Sequence, residues 1–328
     1  MTTIAIRDEA HWHELRAKTV GSSEVAALFD CSPWLSRWQL WQIKTGNLVP
    51  DNLDENERVR EGKYFEPAIA NLAAEKFGLK LRKVRRYIIA DDCPGMGASL
   101  DYEEFGDGSL IPTEIKWSLI GDGWEWEGDE ITDAPENYLL QVQHQLGCMP
   151  NAPHARLIAY AGGRLRHMII ERRDTLIAKI KEEIKGFWWS VSEAKEPPPD
   201  FSMDGDAIAR VAATRKLMDL TLTGDEIADP AFREFLAARE TRLAAEKIED
   251  FKKAEVLKRI LDVAATMGVQ VESENVKAVI GDMKVNLSLS KETPPTVITA
   301  EMVGTSYGGR RGFRRFLVSE IKPPKKGK

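Results

Sequence analysis

The chain has 328 residues, 43% hydrophobic and 30% charged, with a formal net charge of −6, which is normal for a soluble globular protein of one large or two ordinary domains. No apolar run approaches the roughly 20 residues a bilayer requires, and the charges in MTTIAIRDEAHWHELR come too early for a secretory leader, so a cytoplasmic protein without a membrane partner is expected. Cys31, Cys93 and Cys148 are far apart with no C-x-x-C spacing, which indicates neither a disulfide framework nor a thiolate metal cluster.

Charge is uneven along the chain. Up to Asp200 there are 24 basic and 33 acidic residues, and beyond it 22 and 19. An acidic first part can still bind DNA if its basic groups are local, and the candidates are Lys80 to Arg86 and the tail beyond Gly308. Net charge alone neither supports nor excludes nucleic acid.

In chain order, Asp8 is a candidate cap for a helix over EAHWHELRAK. Gly21-Ser22-Ser23 then precede an amphipathic run from Glu24, the pattern of a helix N-terminus with exposed amides and hydroxyls. Trp34, Trp38 and Trp41 recur at helical spacing and read as a core stripe. A strong amphipathic helix is predicted from Glu55 to Gly78, with Phe65, Ile69, Leu72 and Phe77 on or near its apolar face and Gly78 as its stop. Glu66, next to that face, could meet solvent or reach inward.

A basic β-patterned segment, LKLRKVRRYIIA, leads into the stretch Gly97 to Ser118. Phe105-Gly106-Asp107-Gly108-Ser109 is dense in turn formers, so a hairpin is expected with Asp101 near its start and Glu114-Ile115-Lys116 on the returning strand. Side chains alternate across a strand, so Glu114 and Lys116 share one face while Ile115 enters the core. Two carboxylates and an ammonium then converge. Carboxylates are the hard oxygen ligands that Mg²⁺ or Mn²⁺ prefers, and a lysine beside them can orient an attacking water and help to deprotonate it. On these three residues alone, a solvated hairpin with a polar face is the commoner outcome.

A loop from Gly121 to Trp126 follows, and then a helix introduced by Pro135, with Gln141 and Gln145 on one face. A strand pair, ARLIAYAGGRLRHMIIERR, and the helix TLIAKIKEEIKGFWWSVSE complete an α/β domain. The five histidines show no ligand spacing. The expected organisation is a domain over residues 1–194, a proline-rich linker over 195–204 and a C-terminal α+β extension over 205–328. The extension carries long helices from 225 to 267 and strands near 276–280 and 284–289. Its tail, Gly308 to Phe316, interleaves arginine with phenylalanine, which suits single-stranded nucleic acid as well as an alternating edge strand.

Five ordered matches run through the first part. They are Trp12-His13-Glu14-Leu15-Arg16 with Ser23-Glu24-Val25; Gly62-Lys63-Tyr64-Phe65-Glu66; Ala98-Ser99-Leu100-Asp101; Glu114-Ile115-Lys116; and Tyr138-Leu139-Leu140-Gln141-Val142-Gln143. Over about residues 10 to 192 the chain thereby resembles the YqaJ and lambda-exonuclease-like recombination nucleases of the PD-(D/E)xK superfamily. The resemblance implies an α/β nuclease core, a central mixed sheet flanked by helices. It also implies a Mg²⁺-dependent 5′→3′ exonuclease that degrades one strand of double-stranded DNA from its ends for phage recombination, with Mn²⁺ as a substitute metal. The setting would be a bacterial or phage-infected cell, the assembly a homotrimeric ring, and the partner a single-strand annealing protein.

By the same resemblance, Asp101, Glu114 and the Ile115 carbonyl bind Mg²⁺, and Glu66 helps to hold a second ion. Lys116 positions the attacking water, Gln141 steadies the lysine or water, and Arg16, Ser23 and Ser99 receive the 5′-phosphate. Leu100 replaces the family's usual proline, and no arginine lies between Trp117 and Glu136 where the phosphate pocket of the best-known member has one. Alternatives are an endonuclease of the same superfamily and a non-catalytic DNA-end-binding scaffold.

Overall fold

A computed structural model describes residues 1–51, 56–105, 110–118, 123–213, 222, 224–268, 276–289 and 314–320. The chain divides into two compact units, Met1–Leu217 and Met218–Lys328.

The first unit opens with β1 (Thr2–Ala5), α1 (Glu9–Ala17), β2 (Val20–Gly21), a 3-10 turn at Val25–Phe29, α2 (Arg37–Lys44) and α3 (Glu57–Phe77). Next come β3 (Leu81–Lys83), β4 (Arg86–Ala90), β5 (Cys93–Ser99), β6 (Tyr102–Phe105), β7 (Leu110–Ser118), β8 (Glu125–Glu127) and β9 (Glu130–Asp133). It closes with α4 (Glu136–Cys148), β10 (His154–Ala161), β11 (Arg164–Glu171), α5 (Asp174–Ser192) and α6 (Gly205–Ala213).

Two sheets result, a smaller one in the order β1-β4-β5-β2 and a seven-stranded one in the order β3-β6-β7-β10-β11-β9-β8. The larger is mixed: β7 and β10 run parallel, and β6 and β11 pair antiparallel on either side of them. This is the expected central mixed sheet with flanking helices. Ile115 and Ile158, partners in register, face Ile69, Ala70 and Ala73 of α3. On the other face, Leu157 and Ala159 pack with Leu140 and Leu146 of α4 and Ile177 and Ile180 of α5. Glu114 pairs in register with Leu157 and Lys116 with Ala159, so both polar side chains lie on the α4 face.

Local chemistry accounts for the element ends. Asp8 caps α1 by accepting from the His11 amide at 2.8 Å, Ser36 caps α2 through the Gln39 amide at 2.9 Å, and Gly78 ends α3 in the left-handed region. Gly97 is required by close approach, since a Cβ there would lie 2.4 Å from the Tyr87 ring and 2.9 Å from Thr19 Oγ1.

Several expectations change. The chain begins with a strand, β1, paired to β4. The run after Ser23 makes only a five-residue 3-10 turn without a side-chain cap, ended by Asp30 with φ of 55°. Trp38 and Trp41 are buried but Trp34 is 73% exposed, so the tryptophan stripe is not one core surface. On α3, Ile69 is buried while Phe65 and Leu72 are each 44% exposed. Past the proline-rich stretch, Ala207 and Val211 of α6 pack on Trp38 and Leu48, and the first unit includes them. Residues 106–109, where a turn is expected, and residues 119–122, which include the start of the expected loop, lie outside the described residues.

The second unit contains α7 (Ala228–Thr266) and the antiparallel strands β12 (Val276–Ile280), β13 (Met283–Leu289) and β14 (Arg314–Glu320). Its small core joins Ile260 to Val285 and Leu287, whereas Phe232, Phe235 and Phe251 on the helix are exposed. Of the Arg/Phe tail, Arg314 to Phe316 begin β14, and residues 308–313 lie outside the described residues. No helix among the described residues is long and apolar enough to cross a membrane.

Candidate functional site

The site forms where the chain passes from one sheet to the other. β5 ends at Ser99 in the smaller sheet, β6 begins at Tyr102 in the larger, and Leu100 is buried between them. Asp101 occupies the crossover. Its carbonyl accepts from the Val84 amide at 3.2 Å, and its Oδ2 accepts from the Ile115 amide at 2.9 Å. The carboxylate is thereby pinned to β7 beside Glu114.

Glu114 is buried, and three donors converge on it. Lys116 Nζ donates to Oε1 at 2.5 Å, Gln141 Nε2 to the same oxygen at 2.6 Å, and Gln145 Nε2 to Oε2 at 2.6 Å. Gln141 Oε1 in turn accepts from Lys116 Nζ at 3.0 Å, so Gln141 bridges the carboxylate and the ammonium. Lys116 Nζ also lies 4.8 Å from the centre of the Tyr138 ring, a cation–π distance. Sequence reasoning put Gln145 on the face of Gln141 but left it out of the site. Its signal was the four-residue spacing, which puts two amides on one helical stripe toward β7.

Asp101, Glu114, Lys116, Glu66, Trp117 and Tyr138 all line one cavity of about 350 Å³. Burial, together with the Glu114 and Glu66 charges, pushes the Asp101 carboxyl up to about 8, against the pull of Lys116 and the Ile115 amide. Lys116 moves upward as well. Burial would lower it, but Glu114 and Asp101 outweigh that and hold the proton on. The cavity thus gathers three carboxyl groups near one ammonium, a crowding that favours the protonated form of Asp101.

Glu66 has a protein partner of its own. It lines the cavity, but it ion-pairs with Lys83 of β3. Among the described residues no three His, Cys, Asp or Glu side chains are grouped closely enough to hold a metal ion by themselves. The donor chemistry nevertheless fits a hard divalent cation: the carboxyl oxygens of Asp101 and Glu114 share one buried site, where a cation could replace the Asp101 proton. Ion pairs also engage part of the basic run from Lys80 to Arg86. Lys83 is held by Glu66, and Arg82 and Arg86 both bind the buried Glu103.

Arg16, Ser23 and Ser99 form a second cluster. Both terminal nitrogens of Arg16 lie 3.5 Å from Ser23 Oγ, its guanidinium stacks 4.7 Å from the Trp12 ring centre, and Trp12 Nε1 donates to Ser99 Oγ at 3.4 Å. Behind them Glu24 accepts from Arg16 at 2.7 Å, Lys44 at 2.9 Å and the Gly21 amide at 2.8 Å. Burial would raise the Glu24 carboxyl, but Arg16 and Lys44 hold it down at about 2. Glu24 therefore fixes the guanidinium from the inner side and leaves the two hydroxyls beside it. Lys44 was not singled out from the sequence, because nothing in its local pattern links it to a residue twenty positions earlier.

The sequence model of the YqaJ-like viral recombinase domain family matches residues 11–151. The chain is 30% identical to the Bacillus subtilis protein YqaJ, itself uncharacterized, over 233 residues, 67% of this chain and 69% of that one. Among solved structures it is similar to an alkaline exonuclease from Laribacter hongkongensis, at 21% identity and a TM-score of 0.44, covering 62% of this chain and 98% of that one. A phage-related exonuclease from Haemophilus somnus aligns at 14% identity and a TM-score of 0.40, covering 54% and 94%.

Proposed function

Because the chain belongs to the family of YqaJ-like viral recombinase domains, we propose that it is a Mg²⁺-dependent deoxyribonuclease working 5′→3′ on one strand of double-stranded DNA ends. Mn²⁺ would substitute, and the exposed strand would pass to a single-strand annealing protein during recombination. The chemistry belongs to residues 1–194. The observation behind this reading is that Asp101, Glu114 and Lys116 converge on one cavity, with Gln141 bridging the last two.

Asp101, Glu114 and the Ile115 carbonyl would hold the cation, with Glu66 serving a second. When bound, the metal supplies Lewis-acid polarisation of the phosphodiester and neutralises developing charge. Lys116 keeps its proton beside Glu114 and Asp101, so its part is that of a donor that orients the attacking water or a phosphate oxygen, not that of a base. Gln141 holds Lys116 and Glu114 at a set separation, and Gln145 fixes the other carboxylate oxygen. Arg16, backed by Glu24, and the hydroxyls of Ser23 and Ser99 offer charge-assisted donors to a terminal 5′-phosphate.

A time course on linear and covalently closed circular DNA tests the proposal. Nucleotide release from the linear form alone is expected. Nicking of the circle would make the protein an endonuclease, and no cleavage in Mg²⁺ or Mn²⁺ would leave a DNA-end-binding scaffold.

A further inference from the structure

We infer that Phe65 and Trp117 form a stacking platform for a nucleobase next to the phosphate being cut. The inference rests on the nuclease reading and adds to it a second recognition element, for the flat base and not the phosphate. Trp117 directly follows Lys116 on β7 and lines the same cavity as Asp101, Glu114 and Lys116. Phe65 directly precedes Glu66 on α3. The two rings lie 5.4 Å apart between centroids, tilted by 33°. Phe65 is 44% exposed, although the inner turns of the same helix bury Ile69, Ala70 and Ala73 against β7.

Packing alone leaves this exposure unexplained, since α3 already has its apolar contact with the sheet through those three residues. A nucleotide presents an anion and an apolar ring within a few ångströms of each other, and the matching pair is at hand: a lysine with carboxyl groups in the cavity, and the Trp117 ring at its wall with Phe65 of α3 beside it. Stacking uses the face that every base has, so it is tolerant of sequence, as digestion through arbitrary DNA requires. It also suits an acidic chain, because stacking does not depend on the net charge that weakens phosphate binding.

The test uses duplexes whose 5′-terminal base is natural, replaced by 2-aminopurine, or absent, bound by the full-length protein in EDTA and cleaved in Mg²⁺. The wild-type protein should quench 2-aminopurine and bind the abasic end about tenfold more weakly, by a factor that does not change with salt, in contrast to phosphate contacts. Phe65→Ala and Trp117→Ala should lose the quench and the preference for a base over an abasic end. Trp117→Phe should restore both. Equal wild-type affinity and KM for natural and abasic ends would overturn the platform whatever the variants do, as would folded alanine variants that still quench. Failure of the wild-type protein to cleave any DNA is a separate outcome and would remove the nuclease reading itself.

Discussion

Glu114 has both carboxylate oxygens engaged by protein donors, while Asp101, hydrogen-bonded to the neighbouring Ile115 amide, is pushed by burial and by Glu114 toward keeping its proton; this contrast defines the site at the residue scale. Asp101 is raised from 3.8 in the unfolded chain to about 8. The folded metal-free protein therefore binds a proton that the unfolded chain does not, and the stability it contributes is full below pH 3.8 and lost as pH rises through about 8. A divalent cation that replaces the proton should raise Tm more at about pH 8.5 than at about pH 6, and Asp101→Asn should abolish that difference; thermal melts with and without Mg²⁺ read it directly. Asp101→Ala, Glu114→Ala and Lys116→Ala should each lower cleavage about a hundredfold or more while circular dichroism stays native. Near-normal cleavage by Lys116→Ala would remove the mechanism. Gln145→Met keeps the side-chain volume but leaves Glu114 Oε2 without its donor, and should cost about 1–3 kcal/mol, measured by urea unfolding.

At the scale of elements, α4 carries an unusual polar load for a helix packed into a core. Gln141, Gln143, His144 and Gln145 are all buried. Gln141 and Gln145 serve β7. Gln143 donates to the Glu171 carbonyl at 2.7 Å and accepts from the Arg173 amide at 3.0 Å, and His144 meets the Gly97 carbonyl at 2.9 Å. The helix is thus tied by hydrogen bonds to β5, β7 and the end of β11, and the spacing between Asp101 and Glu114 is set by elements locked to it. The loop-and-helix pair around Glu24 works differently, through a buried carboxylate shared by two cations. Glu24→Gln would leave Arg16 and Lys44 facing each other without their anion and should cost about 3–5 kcal/mol. The same variant should erase any preference for 5′-phosphorylated over 5′-hydroxyl ends, read as the ratio of digestion rates. An unchanged ratio in a folded protein would detach this cluster from phosphate binding.

For the whole molecule, the net charge of −6 is unfavourable for tight binding to DNA, and three of the basic residues near β3 and β4, Arg82, Lys83 and Arg86, are paired with Glu66 and Glu103. A ring of three chains around the duplex would offset this by topology in place of charge, and closed cyclic symmetry would cover apolar surface. We propose the three-chain ring that the family resemblance implies, and on that proposal light scattering should give three times the 36.9 kDa chain mass, with and without DNA. A monomer under both conditions would refute the ring.

The sequence alone carried the elements whose signals are local: the cap at Asp8, the stop at Gly78, the strand around Glu114-Ile115-Lys116, and the α4 stripe with Gln141. Alternation along one strand was enough to part Glu114 and Lys116 from Ile115, because side-chain direction there follows from backbone geometry. Contacts between residues distant along the chain were left to the tertiary structure. It alone joined Gln145 to Glu114, Lys44 to Glu24, and Glu66 to Lys83. It also exposed Trp34 and Phe65, which a helical period had assigned to a core. Periodicity reports which residues share a face; what that face meets is decided by segments many residues away, and the charge balance around Asp101 exists only once three such segments have been brought together.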